Sequence, residues 1–135
     1  MINTNTVSLI QKFVDENYIE LSKDEEFDLR YNIKKYNLER DKEKLLKSIL
    51  PYIYKMTMKY AYLPRVEADD LFSYGIEGAL KAIKNDKINE EYRFVSWAWG
   101  YIMKEFIYYF DKDSRIIRLP YHHNQRDDKE NSWKN

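Results

Sequence analysis

The sequence predicts an all-α protein, and three of its properties indicate this fold class. Apolar residues recur at helical spacing through most of the chain. The 135 residues include only 3 Gly and 3 Pro, fewer turn residues than a β-sandwich of this length normally needs. Aromatic residues make up 16% of the chain, which argues against disorder and supplies apolar bulk for one core. We therefore expect a single compact bundle of about five helices.

Two helices are predicted before residue 38. The first covers residues 6–16 and has an apolar face formed by Val7, Ile10, Phe13 and Val14. Ser22 followed by Glu25 forms a capping-box signal, which predicts that the second helix starts near residue 23 and runs to residue 36. The apolar stripe of this second helix is interrupted; its candidate buried residues are Phe27, Leu29, Ile33 and Tyr36.

The third predicted helix runs over residues 39–62. Its apolar residues lie at near-helical spacing: Leu45, Ile49, Ile53, Met56 and Tyr60. Pro51 lies inside this span and is expected to bend the helix or remove one hydrogen bond. The segment Leu63-Pro64 ends it.

The fourth predicted helix, residues 67–85, carries small residues on its apolar side. That side is formed by Leu71, Gly75, Gly78, Ala79, Ala82 and Ile83. Because glycine inside a helix costs up to about 1 kcal/mol, the small residues predict a close approach of a second helix.

The last predicted helix is aromatic and covers residues 92–112, after a turn at residues 85–89. Residues 115–120 are predicted to be extended, and residues 124–135 form a polar tail. We divide the chain into N-terminal helices (1–38), a core domain (39–123) and the tail (124–135).

Composition excludes several classes of protein. The absence of Cys rules out disulfides, thiolate zinc sites and a Cys nucleophile. No apolar run approaches the roughly 20 residues that span a bilayer, and the first residues lack a signal pattern, so we expect a cytoplasmic protein without a membrane partner. The only histidines, His122 and His123, are adjacent and poorly suited to one metal ion. We predict a non-enzyme with no cofactor and no metal.

The most informative segment is residues 92–110, where large rings alternate with cations. An apolar stripe of Phe94, Ala98, Ile102 and Phe106 cannot also include Trp97, Trp99, Tyr101 and Tyr108, so some rings must face water or a partner. Rings interleaved with Lys and Arg are typical of surfaces that bind unstacked nucleotides. A core or dimer surface explains the same composition, and both interpretations stay open on this pattern.

Three blocks in register resemble the sigma-70 family of bacterial and phage RNA polymerase sigma factors. The run DLFSYGIEGALKA (70–82) looks like the core-binding helix of that family, and YRFVSWA (92–98) looks like its promoter-melting segment. The run RIIRLPYH (115–122) looks like the block that closes this region. Weaker similarity upstream extends the resemblance over about residues 8–123.

The resemblance implies a region-2-like domain with two binding surfaces. One would bind core RNA polymerase, at the coiled coil of its β′ subunit, through Asp69, Asp70, Ser73, Tyr74 and Glu77. The other would bind promoter DNA, chiefly the non-template single strand of a −10-like element, through Arg93, Phe94, Trp97, Tyr101, Lys104, Tyr108, Arg115 and Arg118. Pocketing extruded bases offsets the few kcal/mol that opening costs.

The chain departs from the family at several positions. Gly100 and Tyr101 stand where housekeeping factors carry a Trp–Trp pair, which predicts a different promoter consensus. The sequence ends about a dozen residues after the last block, so we expect no −35-binding domain. It therefore resembles a minimal factor of the kind phages use for late transcription, or half of a split factor, and a separate coactivator or −35-binding subunit would supply upstream contacts. The alternative is a sigma-like helical protein that sequesters or appropriates polymerase without opening DNA.

Charge balance predicts how such a protein would meet DNA. The 23 basic residues cancel the 23 acidic ones, and residues 12–30 hold seven acidic side chains against three basic. Few cations are then available to displace counterions from free duplex. We expect DNA contact mainly once polymerase holds the protein in place.

Overall fold

The computed structural model describes residues 4–114, and all regular structure in that range is helical. Its six α-helices are α1 (Thr4–Asn17), α2 (Lys23–Tyr36), α3 (Glu39–Ser48), α4 (Leu50–Tyr60), α5 (Ala68–Lys84) and α6 (Phe94–Tyr109). A π-helical turn, Phe110–Ser114, follows α6. The all-α prediction is confirmed, with six helices where about five were expected. The predicted extended segment 115–120 and the tail lie outside the described residues.

The capping box predicted at the start of α2 is present. The Ser22 hydroxyl accepts a hydrogen bond from the Glu25 N–H (3.2 Å), and the Glu25 carboxylate accepts one from the Ser22 N–H (2.9 Å). At the other end, Asn37 adopts the left-handed conformation (φ 55°) and donates its N–H to the Ile33 carbonyl. Both ends are therefore fixed by local signals, and the predicted bounds of 23–36 are confirmed.

The single helix predicted over residues 39–62 is wrong, because the chain breaks at Ile49. This residue leaves helical geometry (φ −113°, ψ 8°), ends α3 and begins α4. Pro51 then lies in the first turn of α4. Backbone N–H groups in the first turn have no acceptor within the helix, so the lack of an N–H in proline costs no hydrogen bond there. Proline therefore starts a new helix here, where a bend within one helix was the expectation.

The core lies between α3, α4, α5 and α6. Six of its large side chains are fully buried: Leu45, Ile53, Leu71, Phe94, Ile102 and Phe106. Helix α1 packs on α4 and α5 through Ile10 and Val14. Within residues 4–114 no helix combines the length and apolarity required to cross a membrane.

Helix α2 is joined to the loop before α6 by buried charges. Arg30, only 2% exposed, donates from Nε and Nη2 to the two carboxylate oxygens of Asp86, each at 2.7 Å. Lys34 donates to the Asp86 carbonyl (2.6 Å). Because bidentate charged pairs are geometrically specific, this contact sets the position of the loop that leads into α6.

Candidate nucleic-acid interface

Helices α5 and α6 carry most of the predicted site residues, and glycine lets them approach closely. A Cβ atom added at Gly78 would lie 2.7 Å from the Cα of Ile102 and 2.8 Å from the carbonyl oxygen of Tyr101. One added at Gly75 would lie 3.3 Å from Phe106 Cε1 in α6, and 2.7 Å from Ile53 Cγ2 in α4. The predicted close approach is confirmed. The relative position of the two helices is therefore set by backbone contact.

The apolar stripe of α6 is buried as predicted. Phe94, Ala98, Ile102 and Phe106 are each 0% exposed. This burial corrects the assignment of Phe94 as a DNA-binding ring, because a ring with no accessible surface offers no face for a base. Phe94 anchors the start of α6 in the core; its ring also faces the Arg30 guanidinium, whose Cζ lies 5.4 Å from the ring centroid.

Four other predicted residues share one flank of α6, which we call the ring flank: Trp97, Tyr101, Lys104 and Tyr108. Their spacing of four, seven and eleven residues from Trp97 places them within about 60° of one another around the helix. The first three are half-buried and Tyr108 is exposed. Trp99, by contrast, points about 200° away from Trp97 and is 56% exposed.

Trp97 is held in place by the neighbouring helix. Its indole N–H donates to the Ala82 carbonyl at 2.9 Å, near the C-terminal end of α5. The Trp97 and Tyr101 rings lie 5.5 Å apart at an interplanar angle of 51°. A ring whose edge is fixed by a hydrogen bond needs little further ordering to receive a stacking partner.

Cations accompany the ring flank at both ends. Lys112 donates from Nζ to the Tyr108 hydroxyl (2.7 Å) and lies over its ring. Lys81 of α5 pairs with Glu105 at 2.7 Å, and this hydrogen bond raises the pKa of Lys81. Arg115 and Arg118, also predicted to bind DNA, lie outside the described residues.

Arg93 occupies the N-terminal end of this flank. It donates from Nε to Glu26 Oε1 (3.0 Å) and from Nη2 to Glu26 Oε2 (3.3 Å) and the Leu21 carbonyl (3.1 Å). The hydrogen bond to Glu26 raises the pKa of Arg93. The side chain is still 44% exposed, so the predicted cation is tied to α2 and also reaches solvent.

Glu26 was not among the site residues predicted from the sequence. Its carboxylate, 3% exposed, accepts hydrogen bonds from Arg93 and from the Phe94 N–H (2.9 Å), at the start of α6. It also lies 4.0 Å from Arg30. The signal was the uneven stripe of α2, since Glu26 and Arg30 occupy the same face as Leu29 and Ile33. A charged pair at i and i+4 on the apolar face indicates a buried ion network.

The predicted polymerase-binding residues lie together on α5. Asp69, Asp70, Ser73 and Glu77 are exposed, and Tyr74 is half-buried at their edge. We call these five residues the acidic face.

The acidic face adjoins the ring flank through Tyr74. The Tyr74 ring lies 6.2 Å from that of Tyr108 and 5.1 Å from that of Tyr109. Two surfaces of different chemistry, one acidic and one aromatic with cations, therefore meet along the junction of α5 and α6.

A scan against protein-family models and a search of curated proteins found no match to this chain.

Proposed function

We propose that this chain is a sigma-like transcription initiation factor, with a domain similar to the core-binding and −10-melting region of the sigma-70 family. In this proposal the acidic face of α5 binds core RNA polymerase, and the ring flank of α6 holds unpaired bases of a −10-like element. The observation that carries the proposal is the grouping of Trp97, Tyr101, Lys104 and Tyr108 on one accessible flank beside that acidic face.

The ring flank suits single-stranded DNA better than duplex DNA. The Trp97–Tyr101 pair offers tilted aromatic surface, and Lys104, Lys112 and Arg93 supply cations within reach of a backbone. Stacking on aromatic side chains is available to any exposed base, whereas duplex binding depends on neutralising many phosphates. With 23 acidic residues against 23 basic ones, the protein lacks that excess of charge.

The acidic face suits a basic partner surface. Its three carboxylates lie on the exposed side of α5, and the glycine-mediated contact with α6 fixes their position relative to the ring flank. A polymerase that docks on α5 would therefore present α6 to the DNA at a fixed offset. This arrangement supports the expectation that DNA opening requires polymerase.

The direct test combines core binding with promoter opening. A pull-down against bacterial and phage core polymerases should recover a complex, and Glu77→Arg should weaken it by reversing one charge of the acidic face. Permanganate reactivity of promoter thymines should then report opening. Trp97→Ala should reduce opening by about 1–3 kcal/mol, roughly 5- to 150-fold, because one stacking surface is lost.

Two further variants separate stacking from structure. Trp97→Phe keeps a ring but removes the N–H bonded to Ala82, so it should retain most of the opening activity. Trp99→Ala removes an equally large ring from another side of the same helix and should leave opening unchanged. Failure to bind any core, or equal losses for Trp97→Ala and Trp99→Ala, would refute the proposal.

The alternative function is a sigma-like protein that occupies polymerase without opening DNA. The observation in its favour is that Phe94 is fully buried and Trp97 is bonded to Ala82, so that part of the aromatic surface has a structural role. Run-off transcription with core polymerase alone discriminates between the two functions. Specific transcripts support an initiation factor, and polymerase binding that only inhibits transcription supports the alternative.

A further inference from the structure

A pocket of about 280 Å³ lies where α2 and α3 meet the C-terminal end of α5. Its apolar lining consists of Ile33, Leu45 and Ile83, one residue from each of these helices, and all three are buried. The pocket lies apart from the residues of the ring flank and the acidic face, none of which lines it. Its volume is near the lower end of the range of small-molecule sites, roughly 300–1,000 Å³.

Three lysines line the same pocket, one from each helix: Lys34, Lys42 and Lys84. The lining also includes Arg30 and Asp86, but these two side chains neutralise each other through two hydrogen bonds of 2.7 Å. The remaining lining charge is that of the three ammonium groups. An apolar floor of Ile33, Leu45 and Ile83 in a pocket also lined by cations is a pattern for a ligand that has an anionic end and an uncharged body.

Each of these ammonium groups keeps donors for a ligand. Lys34 uses one of its three N–H groups on the Asp86 carbonyl, which also fixes its position. Lys42 lies 3.3 Å from Glu39, whose side chain is 88% exposed, so water screens that pair and a ligand can replace it. Lys84 is exposed and forms no ion pair with any residue of the range 4–114.

We propose that this pocket binds a phosphorylated small molecule of the nucleotide type. The phosphoryl oxygens would accept hydrogen bonds from the three lysines, and the base or sugar would cover the floor of Ile33, Leu45 and Ile83. Lysine is a common phosphate ligand because its ammonium is a compact charge with three donors. This inference does not depend on the proposed function, since it concerns other residues.

A purely structural role for the lysines makes a different prediction. Lys34 and Lys84 lie in the last turns of α2 and α5, where cations stabilise helices through the macrodipole. That role needs no ligand, and it does not account for Lys42, which lies in the first part of α3. The two interpretations therefore differ in whether phosphate compounds bind at all.

The test is a titration of the full chain with ADP, followed by calorimetry and by amide NMR shifts. Pyrophosphate should bind more weakly than ADP and compete with it, and adenosine alone should not bind measurably. The amides of Ile33 and Asn37, which line the pocket, should shift. Lys42→Gln and Lys84→Gln should each weaken ADP binding roughly tenfold, as expected for the loss of one charge-assisted hydrogen bond.

Lys55→Gln is the matched control, because Lys55 is an exposed lysine of α4 outside the pocket. It should leave ADP affinity unchanged, and circular dichroism melts should show all three variants folded. Absence of binding by both ADP and pyrophosphate would overturn the proposal. An equal loss in Lys55→Gln would also overturn it, since attraction would then be a general surface effect. The proposal would also be overturned if a single-stranded oligonucleotide shifted the amide NMR signals of the pocket residues and ADP did not.

Discussion

Substituting two glycines with alanine tests the helix contact that positions both proposed surfaces. Gly78→Ala adds a methyl group where α5 touches the backbone of α6, and Gly100→Ala adds the same group to α6 where no atom lies within 4 Å. The chemical change is identical at the two sites. The variants therefore differ only in what the new Cβ meets.

The expected change in the free energy of unfolding follows from these distances. The Cβ at Gly78 would lie 2.7 Å from Ile102 Cα, about 0.8 Å closer than the roughly 3.5 Å at which carbon atoms begin to repel. Both close contacts are with backbone, so relief requires α6 to move away from α5. We therefore take the upper part of the usual overpacking cost, about 3 kcal/mol, and subtract about 1 kcal/mol for the gain in helix propensity. The expected net loss is about 2 kcal/mol.

Gly100→Ala should change the free energy of unfolding in the opposite direction and stabilise the protein. With open space around the new methyl, only the propensity term remains, and the free energy of unfolding should rise by about 0.5–1 kcal/mol. The difference between the two variants is then close to 3 kcal/mol. At about 4 °C per kcal/mol for a chain of this size, Gly78→Ala should melt about 8 °C below the wild type and Gly100→Ala about 2–4 °C above it.

Urea unfolding followed by circular dichroism at 222 nm gives the free energies, with the slopes checked for equality so that the values can be compared. Thermal melts give an independent ranking. A Gly78→Ala protein at least as stable as the wild type would refute the reasoning, because α5 and α6 would then be farther apart than the 2.7 Å between the added Cβ and Ile102 Cα implies. A destabilised Gly100→Ala protein would show that this side of α6 is covered.

Two further predictions concern α2. Glu26→Gln should lower the free energy of unfolding by about 1.5–3 kcal/mol in urea, because the charged hydrogen bonds from Arg93 to a buried carboxylate would be lost while Arg30 keeps its bonds to Asp86; a loss below 1 kcal/mol would contradict that network. The capping hydrogen bonds from Ser22 lower the pKa of Glu25 in the folded protein, so their stabilisation is present above the ordinary glutamate pKa of about 4.3 and is lost as the pH falls through the lower folded value. Glu25→Gln, which removes the titrating carboxylate and keeps its shape, should therefore reduce the melting temperature at pH 7 more than at pH 3, and an equal reduction at both would count against the cap.

Local sequence signals predicted where helices form better than they predicted where a helix is interrupted. The start of α2 follows from a capping box within four residues, and the apolar stripe of α6 follows from spacing alone. The break at Ile49 was harder to predict, because a proline inside an apolar pattern is compatible with a kink in one helix or with the start of a new helix. The tertiary packing of α3 and α4 decides between these outcomes, and it does not appear in the spacing.

The grouping of residues at the candidate site could be predicted only in part, for a related reason. Helical spacing is sufficient to place Trp97, Tyr101, Lys104 and Tyr108 on one flank. Spacing also assigned Phe94 to the buried stripe, whereas the family resemblance assigned it to DNA binding. Its full burial agrees with the assignment from spacing. Glu26 contacts Arg93 and Phe94, which lie 67 and 68 positions further along the chain. Local sequence patterns carry no information over such a separation.

The Glu26 contacts bear directly on the proposed role of Arg93. A guanidinium has five N–H donors, and here Nε and both hydrogens of Nη2 are directed at Glu26 and the Leu21 carbonyl. The two hydrogens of Nη1 lie outside these bonds, on a side chain that is 44% exposed. A phosphate that binds there would meet a cation already held in place, so that little side-chain entropy remains to be lost. Because the same carboxylate accepts the Phe94 N–H, it fixes this cation relative to Trp97, one turn further along α6. Glu26→Gln should consequently weaken the proposed DNA opening through the position of Arg93 and the start of α6, and it leaves in place the Trp97 ring and its hydrogen bond to Ala82, both of which Trp97→Ala removes.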